Sequence, residues 1–272
     1  MPVNTVRVRD VVVGGGHPAL IAGPCLAESW DVCARVAETL KRICATLSVQ
    51  YIFKASFDKA NRSSLETPRG AGVDEGLRIL QRVKQEFDLP LTTDVHLPDQ
   101  AAPVAEVVDL LQVPAFLCRQ TDLLLACAET DKPVNVKKGQ FLAPEDTKNI
   151  VKKLEAGGAA GIILTERGTT FGYHTLVVDM AGLPVMRSFG WPVCFDATHS
   201  AQRPGGAGNQ SGGNRDAIPT LARAAVAAGI DALFMEVHPD PPSALSDSAT
   251  QWPLDQAEPL LRQLLRIWKV VG

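Results

Sequence analysis

The sequence predicts an α/β protein of the (β/α)8 barrel class (a TIM barrel), preceded by an N-terminal β-hairpin. Short, continuously apolar runs alternate with longer segments of helical periodicity, and eight such alternations lie between residues 19 and 270. Runs without polar alternation are typical of parallel strands covered on their outer face. Eight units close a barrel, whereas a doubly wound open sheet, the main alternative, has no preference for eight. The 272 residues are therefore predicted to form one domain, 1–272.

The predicted elements follow from the chain in order. Residues Thr5 to Val13 alternate in polarity before Gly14-Gly-Gly16 and predict the hairpin. The predicted barrel strands are Ala19–Gly23, Tyr51–Lys54, Leu91–Val95, Asp109–Val113, Pro133–Lys137, Gly161–Thr165, Val193–Asp196 and Asp231–Glu236. Helical spacing between them predicts helices around Val32–Leu47 and Leu77–Val83 and over Ala101–Val107, Thr121–Ala128, Glu145–Leu154, about Leu176 to Met186, Ala217–Ala228 and Leu254–Val270. The glycine-rich segment Pro204–Gly213 is predicted to be an active-site loop rather than a linker.

Composition narrows the class of partner and the compartment. A net charge of -3 argues against a nucleic-acid partner, which usually requires a basic face. The sequence has neither a signal-peptide pattern nor an apolar run of about 18 residues, which predicts no membrane partner and a cytoplasmic location. None of the six cysteines forms a Cys-x-x-Cys pair, and Cys33 and Cys44 share an apolar helical face, which favours reduced core residues.

Cations follow several of the predicted strands, where the loops of a barrel meet at one mouth. The stretch Tyr51–Ser64 carries Lys54, Lys59 and Arg62 among hydroxyl and amide side chains, which suit phosphate or carboxylate oxygens. A solvated basic loop would explain one such cluster. Lys137, Lys138 and Arg167 recur at the ends of other strands, however, and this convergence favours a strongly anionic ligand, since like charges in one cavity repel.

A second set of strand-end residues predicts a metal site. One thiolate, one imidazole and two carboxylates suit a divalent ion such as Zn²⁺, Fe²⁺, Mn²⁺ or Co²⁺, and the candidates are Cys25, His199, Glu236 and Asp247. Their spacing is long-range, and Cys25 on its own is better explained as a core residue, because free cysteine is among the most buried residue types. His238 is an alternative ligand, because residues 236 and 238 of one strand point the same way.

Several longer motifs resemble one family over most of the chain, from about Ile21 to Trp252. They are Ile21-Ala-Gly-Pro-Cys-Leu-Ala-Glu-Ser29, Phe53-Lys-Ala-Ser-Phe-Asp-Lys-Ala-Asn-Arg-Ser-Ser64, Pro114-Ala-Phe-Leu-Cys-Arg-Gln-Thr-Asp122, Asn135-Val-Lys-Lys-Gly-Gln-Phe141, Leu164-Thr-Glu-Arg-Gly-Thr-Thr-Phe-Gly-Tyr173, Phe195-Asp-Ala-Thr-His-Ser200 and Ala244-Leu-Ser-Asp247. The chain resembles the 3-deoxy-D-manno-octulosonate 8-phosphate synthases of bacterial lipopolysaccharide sugar synthesis. The resemblance implies a homotetrameric (β/α)8 barrel that condenses phosphoenolpyruvate with arabinose 5-phosphate and releases inorganic phosphate.

The resemblance also implies roles for individual residues. The expected phosphoenolpyruvate ligands are Lys54, Ser56, Lys59, Gln112, Lys137 and Arg167. Asn61, Arg62 and Ser63 would contact the pentose phosphate, and Phe116 and Arg119 would lie near the site of a neighbouring subunit. Cysteine after Gly-Pro is the metal-dependent variant of the family, so Cys25 implies a metal held with His199, Glu236 and Asp247. The residues expected to carry catalysis are Lys59, Lys137, Cys25 and His199.

Three other functions remain open on the sequence. The sister enzyme of the family uses erythrose 4-phosphate, but it carries Lys-Pro-Arg-Thr where this chain has Lys59-Ala-Asn-Arg62. A Schiff-base aldolase would use Lys54 or Lys137 as its nucleophile. A sugar-phosphate sensor would keep the barrel without the chemistry, although the sequence shows no effector or DNA-binding motif.

Overall fold

The structure is a computed structural model that describes residues 3–61, 67–205 and 212–271. Within these ranges, eight parallel strands form a closed ring in which each strand lies beside the next barrel strand of the chain. The ring closes because the strand Ala232–His238 pairs in parallel with both Val193–Asp196 and Ala19–Gly23. Helices cover the outside of the ring, so the predicted (β/α)8 barrel is confirmed.

The strands are β1 (Val6–Val8), β2 (Val11–Val13), β3 (Ala19–Gly23), β4 (Gln50–Lys54), β5 (Leu91–Asp94), β6 (Leu110–Val113), β7 (Val134–Lys137), β8 (Ile162–Glu166), β9 (Thr169–Thr170), β10 (Leu176–Val177), β11 (Val193–Asp196), β12 (Gln202–Arg203), β13 (Gly212–Gly213), β14 (Ala232–His238) and β15 (Trp252–Pro253). The helices are α1 (Trp30–Leu47), α2 (Val73–Phe87), α3 (Ala101–Val107), α4 (Thr121–Ala128), α5 (Thr147–Ala156), α6 (Gly182–Arg187), α7 (Ile218–Ala227) and α8 (Ala257–Val271). Over the described part of the chain, none of these helices has the length and apolar character needed to cross a membrane.

The N-terminal hairpin closes the end of the barrel at which the strands begin. Strands β1 and β2 pair antiparallel, and Val6, Val8, Val11 and Val13 are all buried. They pack in one cluster with apolar side chains from the barrel interior, which are Ala19, Ile21, Ile52, Leu110, Ile163, Cys194, Ala232 and Phe234. The predicted hairpin is therefore confirmed, and it leaves the opposite end, where the strands finish, as the open mouth.

A larger apolar layer lies between the barrel and the surrounding helices. Helix α1 contributes one face that includes Cys33, Val36, Leu40 and Cys44, as its spacing predicts. Like the other cysteines of the chain, these two are free and buried. This layer holds the strands in a fixed arrangement, so the side chains at their carboxyl ends occupy defined positions.

The helix predicted from about Leu176 to Met186 is wrong in its first half. Strand β10 there pairs antiparallel with β9, and only α6, at the end of the stretch, is helical. The Asp179 side chain accepts the backbone N–H of Ala181 at 2.9 Å, and this turn separates the two elements. The apolar spacing therefore came from residues of a strand and a helix together. The other predicted boundaries agree with the structure to within a few residues.

Gly23, the last residue of β3, lies against the backbone of the neighbouring strand β4. A Cβ atom at position 23 would lie 1.9 Å from the carbonyl oxygen of Lys54 and 2.9 Å from its carbonyl carbon. Because both atoms belong to the backbone, the contact cannot be relieved by turning a side chain. The close approach requires glycine at this position.

We expect the substitution Gly23→Ala to lower the free energy of unfolding by about 3 kcal/mol or more, since it forces two paired strands apart. Denaturant and thermal unfolding measure the effect. Gly15→Ala is the matched control, because its Cβ would lie 3.2 Å from the Val12 side chain and 3.8 Å from the backbone carbonyl oxygen of Val12. A Gly23→Ala protein as stable as the Gly15→Ala protein would contradict the close packing of β3 on β4.

Candidate active site

A cavity of about 560 Å³ opens at the carboxyl ends of the barrel strands. Its wall contains the last residues of four strands, β4, β5, β7 and β11, which are Lys54, Asp94, Lys137 and Asp196. The predicted site residues that line it are Lys54, Lys59, Asn61, Gln112, Phe116, Lys137, Arg167, His199 and Asp247. The barrel therefore brings both the predicted cations and part of the predicted metal set to one mouth.

The remaining predicted site residues lie behind the wall, at the exposed surface or outside the described ranges. Cys25, Ser56 and Glu236 are buried behind the lining. Arg119 is exposed and does not line the cavity, whereas the ring of Phe116 lines it and is 53% exposed. Arg62 and Ser63 lie outside the described residues. Their expected roles stay predictions.

Lys54 and Lys59 form a compact cluster with Ser56. The Lys54 ammonium donates to Glu236 Oε1 at 2.9 Å, to Ser56 Oγ at 3.0 Å and to the Cys25 carbonyl at 3.4 Å. Its three N–H donors are therefore matched by protein acceptors. The Lys59 ammonium donates to Ser56 Oγ at 2.9 Å and lies 3.8 Å from Glu236 Oε1, which leaves N–H donors for a ligand. Lys59 is thus better placed than Lys54 to donate to a bound anion.

Asp94 supports this cluster from the end of β5. It accepts the Ser56 hydroxyl and the Gln112 amide, the latter at 2.6 Å. Burial raises the pKa of Asp94, but Lys54, Lys59 and the Gln112 hydrogen bond lower it well below its usual range. Burial lowers the pKa of Lys59, but Cys25 and the carboxylates of Glu236, Asp94 and Asp247 raise it above its usual range. Both groups are therefore charged at neutral pH.

The Lys137 ammonium lies between a carboxylate and an aromatic face. Its Nζ is 2.6 Å from Asp196 Oδ2 and 3.0 Å from the centroid of the Phe234 ring. Burial lowers the pKa of Lys137, and Asp196 offsets only part of that effect. A lysine whose pKa is lowered in a cavity can exchange a proton more readily than a solvated one.

Arg167 presents an unused hydrogen-bond donor to the cavity. One guanidinium nitrogen, Nη2, donates to Gln202 Oε1 at 2.8 Å, whereas Nη1 is buried and has no hydrogen-bond partner among the described residues. A buried donor without a hydrogen-bond partner costs about 1–3 kcal/mol of stability, and more when the group is charged. An incoming phosphate or carboxylate oxygen would satisfy it.

The lysines of the cavity are paired with buried carboxylates, which contradicts one expectation from the sequence. The expectation that the cations repel one another until an anionic ligand arrives is wrong, because buried carboxylates already meet the lysines. Lys54 pairs with Glu236 and Asp94, and Lys137 pairs with Asp196. Arg167 has no ion pair of this kind within the described ranges, so its charge is the most available to a ligand.

Three of the four predicted metal ligands come together. The ligand atoms of Cys25, Glu236 and Asp247 all lie within 4.8 Å of one another, and Cys25 Sγ is 3.3 Å from Asp247 Oδ2. His199 is not part of this closest group. Its Nε2 nevertheless lies 3.6 Å from Glu236 Oε2 and 3.7 Å from Asp247 Oδ2, on the same side of the cavity.

The chemistry of this group fits a divalent cation. Glu236 Oε2 is buried and accepts no hydrogen bond from the described residues, so one carboxylate oxygen is left for another partner. Asp247 has a φ of 48°, a strained conformation for a residue other than glycine, and its carbonyl accepts the N–H groups of Thr250 and Gln251. A thiol and two carboxylates held together in this way form a suitable ligand set for a borderline metal ion.

Asp196 orients the imidazole of His199 toward this group. Its Oδ2 lies 2.7 Å from His199 Nδ1, and Oδ1 accepts the backbone N–H of His199 at 2.9 Å. Burial lowers the pKa of His199, but Asp196 and Glu236 raise it to about 9. Burial also raises the pKa of the Cys25 thiol well above its usual range. Both side chains therefore carry protons at neutral pH that a metal ion would displace.

His238, the alternative ligand, is engaged elsewhere. Its Nδ1 accepts the Asp240 N–H at 3.0 Å, and its Nε2 lies 2.8 Å from Glu28 Oε1. Since Nδ1 is an acceptor, Nε2 carries the proton and donates it to Glu28. Neither ring nitrogen is left to bind a metal, so the prediction of His238 as a ligand is wrong for this conformation.

Several polar residues of the cavity have roles that the sequence did not predict. Asp94 and Asp196 hold the lysines, Gln202 orients Arg167, and Ser246 lies 3.0 Å from Cys25 Sγ. Asp94 and Asp196 end buried strands, and a carboxylate in that position was a signal that could have been used. Gln202 and Ser246 lie in loops, where the sequence offers no comparable pattern.

The chain is similar to known proteins over nearly its whole length. The chain matches the DAHP synthetase I family over residues 2–269 and belongs to that family. It is 60% identical to the 2-dehydro-3-deoxyphosphooctonate aldolase of Cyanothece sp. (strain PCC 7425 / ATCC 29141) over 259 residues, and these residues make up 95% of each chain. It is also 58% identical to the protein of that name from Synechococcus sp., over 96% of this chain and 92% of the other. A third such protein, from Protochlamydia amoebophila, is 51% identical over 99% of this chain and 98% of its own.

Proposed function

We propose that this chain condenses phosphoenolpyruvate with D-arabinose 5-phosphate and water to give 3-deoxy-D-manno-octulosonate 8-phosphate and inorganic phosphate. Relatives that are 51–60% identical over nearly the whole chain share the name 2-dehydro-3-deoxyphosphooctonate aldolase, which describes this product. The structural observation that carries the proposal is the cavity itself, whose wall contains Lys59, Lys137, Arg167 and Asp247, with Cys25 and Glu236 grouped around Asp247 behind that wall. The product belongs to lipopolysaccharide sugar synthesis.

The cations bind and orient phosphoenolpyruvate in this proposal. Arg167 supplies its unpartnered Nη1 and Lys59 its remaining N–H donors to the phosphate and carboxylate oxygens. Lys54 and Ser56 contribute by fixing Lys59 and Glu236, since their own hydrogen bonds are already made. Gln112 keeps one amide N–H, because the other donates to Asp94 and its carbonyl accepts from Asn135.

The reaction forms one carbon–carbon bond and releases phosphate. C3 of phosphoenolpyruvate attacks the aldehyde carbon of the open-chain sugar, water adds at C2, and phosphate leaves. The aldehyde oxygen gains a proton, for which the Lys137 ammonium is the donor suited by its lowered pKa and its position beside Asp196. Holding both anions in one cavity removes much of the entropic barrier, an effect of up to about 7–11 kcal/mol in favourable cases.

A divalent metal would be held by Cys25, Glu236 and Asp247, with His199 turned toward it by Asp196. Such an ion supplies positive charge that orients and polarises the aldehyde or a neighbouring hydroxyl, or lowers the pKa of the attacking water. Asn61 and Phe116, which line the outer part of the cavity, are proposed to contact the pentose phosphate and to face a neighbouring subunit, respectively. The homotetramer, the cytoplasmic location and the one-domain assignment stay predictions.

The nearest alternative is condensation with erythrose 4-phosphate, because the matched family is described as DAHP synthetase I. We expect kcat/KM for arabinose 5-phosphate to be at least ~100-fold higher than kcat/KM for erythrose 4-phosphate. A site that hydrogen-bonds a substrate hydroxyl strongly rejects an analogue that lacks this hydroxyl. Phosphate release with each sugar in the presence of phosphoenolpyruvate measures this. Preference for the four-carbon sugar would assign the chain to the sister activity. Trapping of a substrate adduct by borohydride would instead indicate a Schiff-base aldolase.

A further inference from the structure

Lys138 is a buried lysine beside the cavity for which the proposed reaction has no use. It follows Lys137 directly, but its ammonium points into the protein between the loops after β7 and β8. Its Nζ donates to the carbonyls of Gly139 and Leu142 at 3.2 and 3.0 Å and to Thr169 Oγ1 at 3.0 Å, and its side chain is fully buried. A buried charge of this kind requires a counter-charge.

Glu166, the last residue of β8, supplies that counter-charge with one of its two oxygens. Oε2 lies 3.5 Å from the Lys138 ammonium. Oε1 accepts two backbone N–H groups from the following turn, that of Arg167 at 2.9 Å and that of Gly168 at 2.6 Å. The turn also needs Gly168, whose φ is +89°. The carboxylate thus closes the turn that immediately follows the barrel strand.

Arg167 lies within this turn, so the turn determines where its guanidinium points. The side chain is buried, lines the cavity and holds the unpartnered Nη1 described above. Glu166 is the nearest carboxylate to Arg167 along the chain. If no other cation balanced it, the strongest attraction available to the Glu166 side chain would be the Arg167 guanidinium itself.

We propose that Lys138 is a positioning residue that holds Glu166 in its role of closing the turn and so keeps the Arg167 guanidinium free for the substrate anion. The inference rests on the proposed function, because it takes phosphoenolpyruvate as that anion. Lys138 binds no substrate atom in this arrangement. It acts through the Glu166 carboxylate on the direction of the Arg167 side chain. Burial lowers the pKa of Lys138, and Glu166 offsets part of that effect.

The test uses Lys138→Met, which removes the charge and keeps the apolar stem. We expect the Kd for phosphoenolpyruvate, measured by calorimetry, and its KM to rise by roughly tenfold or more, with kcat changed less than about threefold. The double variant Lys138→Met/Glu166→Gln should return both to within about threefold of wild type, because a neutral amide oxygen still accepts the N–H groups of Arg167 and Gly168 without needing a cation. Lys152→Met, at an exposed position of α5, is the control and should change nothing.

The rescue separates positioning from a general loss of structure. Unchanged affinity in Lys138→Met, or a double variant as weak as the single one, would overturn the inference. If Lys138→Met does not fold, Glu166→Ala and Glu166→Gln decide, since only alanine removes the acceptor for the turn. Alanine should then weaken phosphoenolpyruvate binding at least about tenfold more than glutamine, and equal binding by the two would overturn the inference. Wild-type protein that binds no phosphoenolpyruvate would overturn the proposed function and this inference with it.

Discussion

Replacing Lys137 by methionine is expected to lower kcat by about 10²–10⁴, the range typical for losing a group that transfers a proton in the transition state. Lys54, Lys59 and Lys137 line the cavity, and of these three Lys137 has a lowered pKa, because burial lowers it more than Asp196 raises it. Its ammonium lies against Asp196 and the face of the Phe234 ring. Methionine keeps the length and apolar contact of the stem but carries no proton. Steady-state kinetics with phosphoenolpyruvate and arabinose 5-phosphate measure the loss.

The control must show that the loss is chemical. Lys148→Met, at an exposed position of α5, should retain wild-type turnover. The Lys137→Met protein should still bind phosphoenolpyruvate within about tenfold of wild type, since Arg167 and Lys59 remain in place. If Lys137→Met kept more than about a tenth of wild-type kcat, Lys137 would not be the proton donor, and the role would have to pass to another group of the cavity.

The barrel could be predicted because its strands are buried on both faces. A strand in that position must be apolar along its length, as Ala19–Gly23 and Ile162–Leu164 are, and a run of that kind is visible in the sequence alone. The short β9–β10 pair could not be predicted in the same way. Two-residue strands are shorter than any period, so their apolar residues merged with those of α6 into one apparent helix.

The membership of the site could be predicted from strand ends, but its hydrogen bonds could not. Lys54 lies at the end of β4 and Glu236 near the end of β14, and only the ring order β14–β3–β4 brings them within 2.9 Å. Because of that contact, the three N–H donors of Lys54 all have protein acceptors, whereas Lys59 keeps N–H donors for a ligand. The hydrogen bonds of His238 were equally invisible in the sequence. It follows Glu236 by two residues on one strand, but its imidazole is hydrogen-bonded to Glu28.

Removing divalent cations is expected to abolish turnover, and adding back Mn²⁺, Zn²⁺, Fe²⁺ or Co²⁺ is expected to restore it. The physical reason is that Cys25, Glu236 and Asp247 converge within 4.8 Å, and Glu236 Oε2 accepts no hydrogen bond from the part of the chain that the structure describes. Chelation followed by elemental analysis and a phosphate-release assay measures both steps. Cys25→Ala should lose the metal, whereas Cys44→Ala, at a buried position of α1 that belongs neither to the metal group nor to the cavity wall, should retain it. Full activity in protein shown to be free of metal would contradict the assignment and leave the fold unaffected.

The number of protons released on metal uptake decides whether His199 is a ligand. A metal ion binds a thiolate and a neutral imidazole, and in the metal-free protein the Cys25 thiol is protonated and the pKa of His199 is about 9. At pH 7 we expect uptake to release two protons if both residues bind, so that the apparent metal affinity rises by up to about a hundredfold for each unit of pH. Calorimetry in buffers of different ionisation enthalpy counts these protons. His199→Gln should release one proton fewer; an unchanged count would mean that Cys25, Glu236 and Asp247 hold the ion without the imidazole, and that Asp196 orients His199 for the substrate instead.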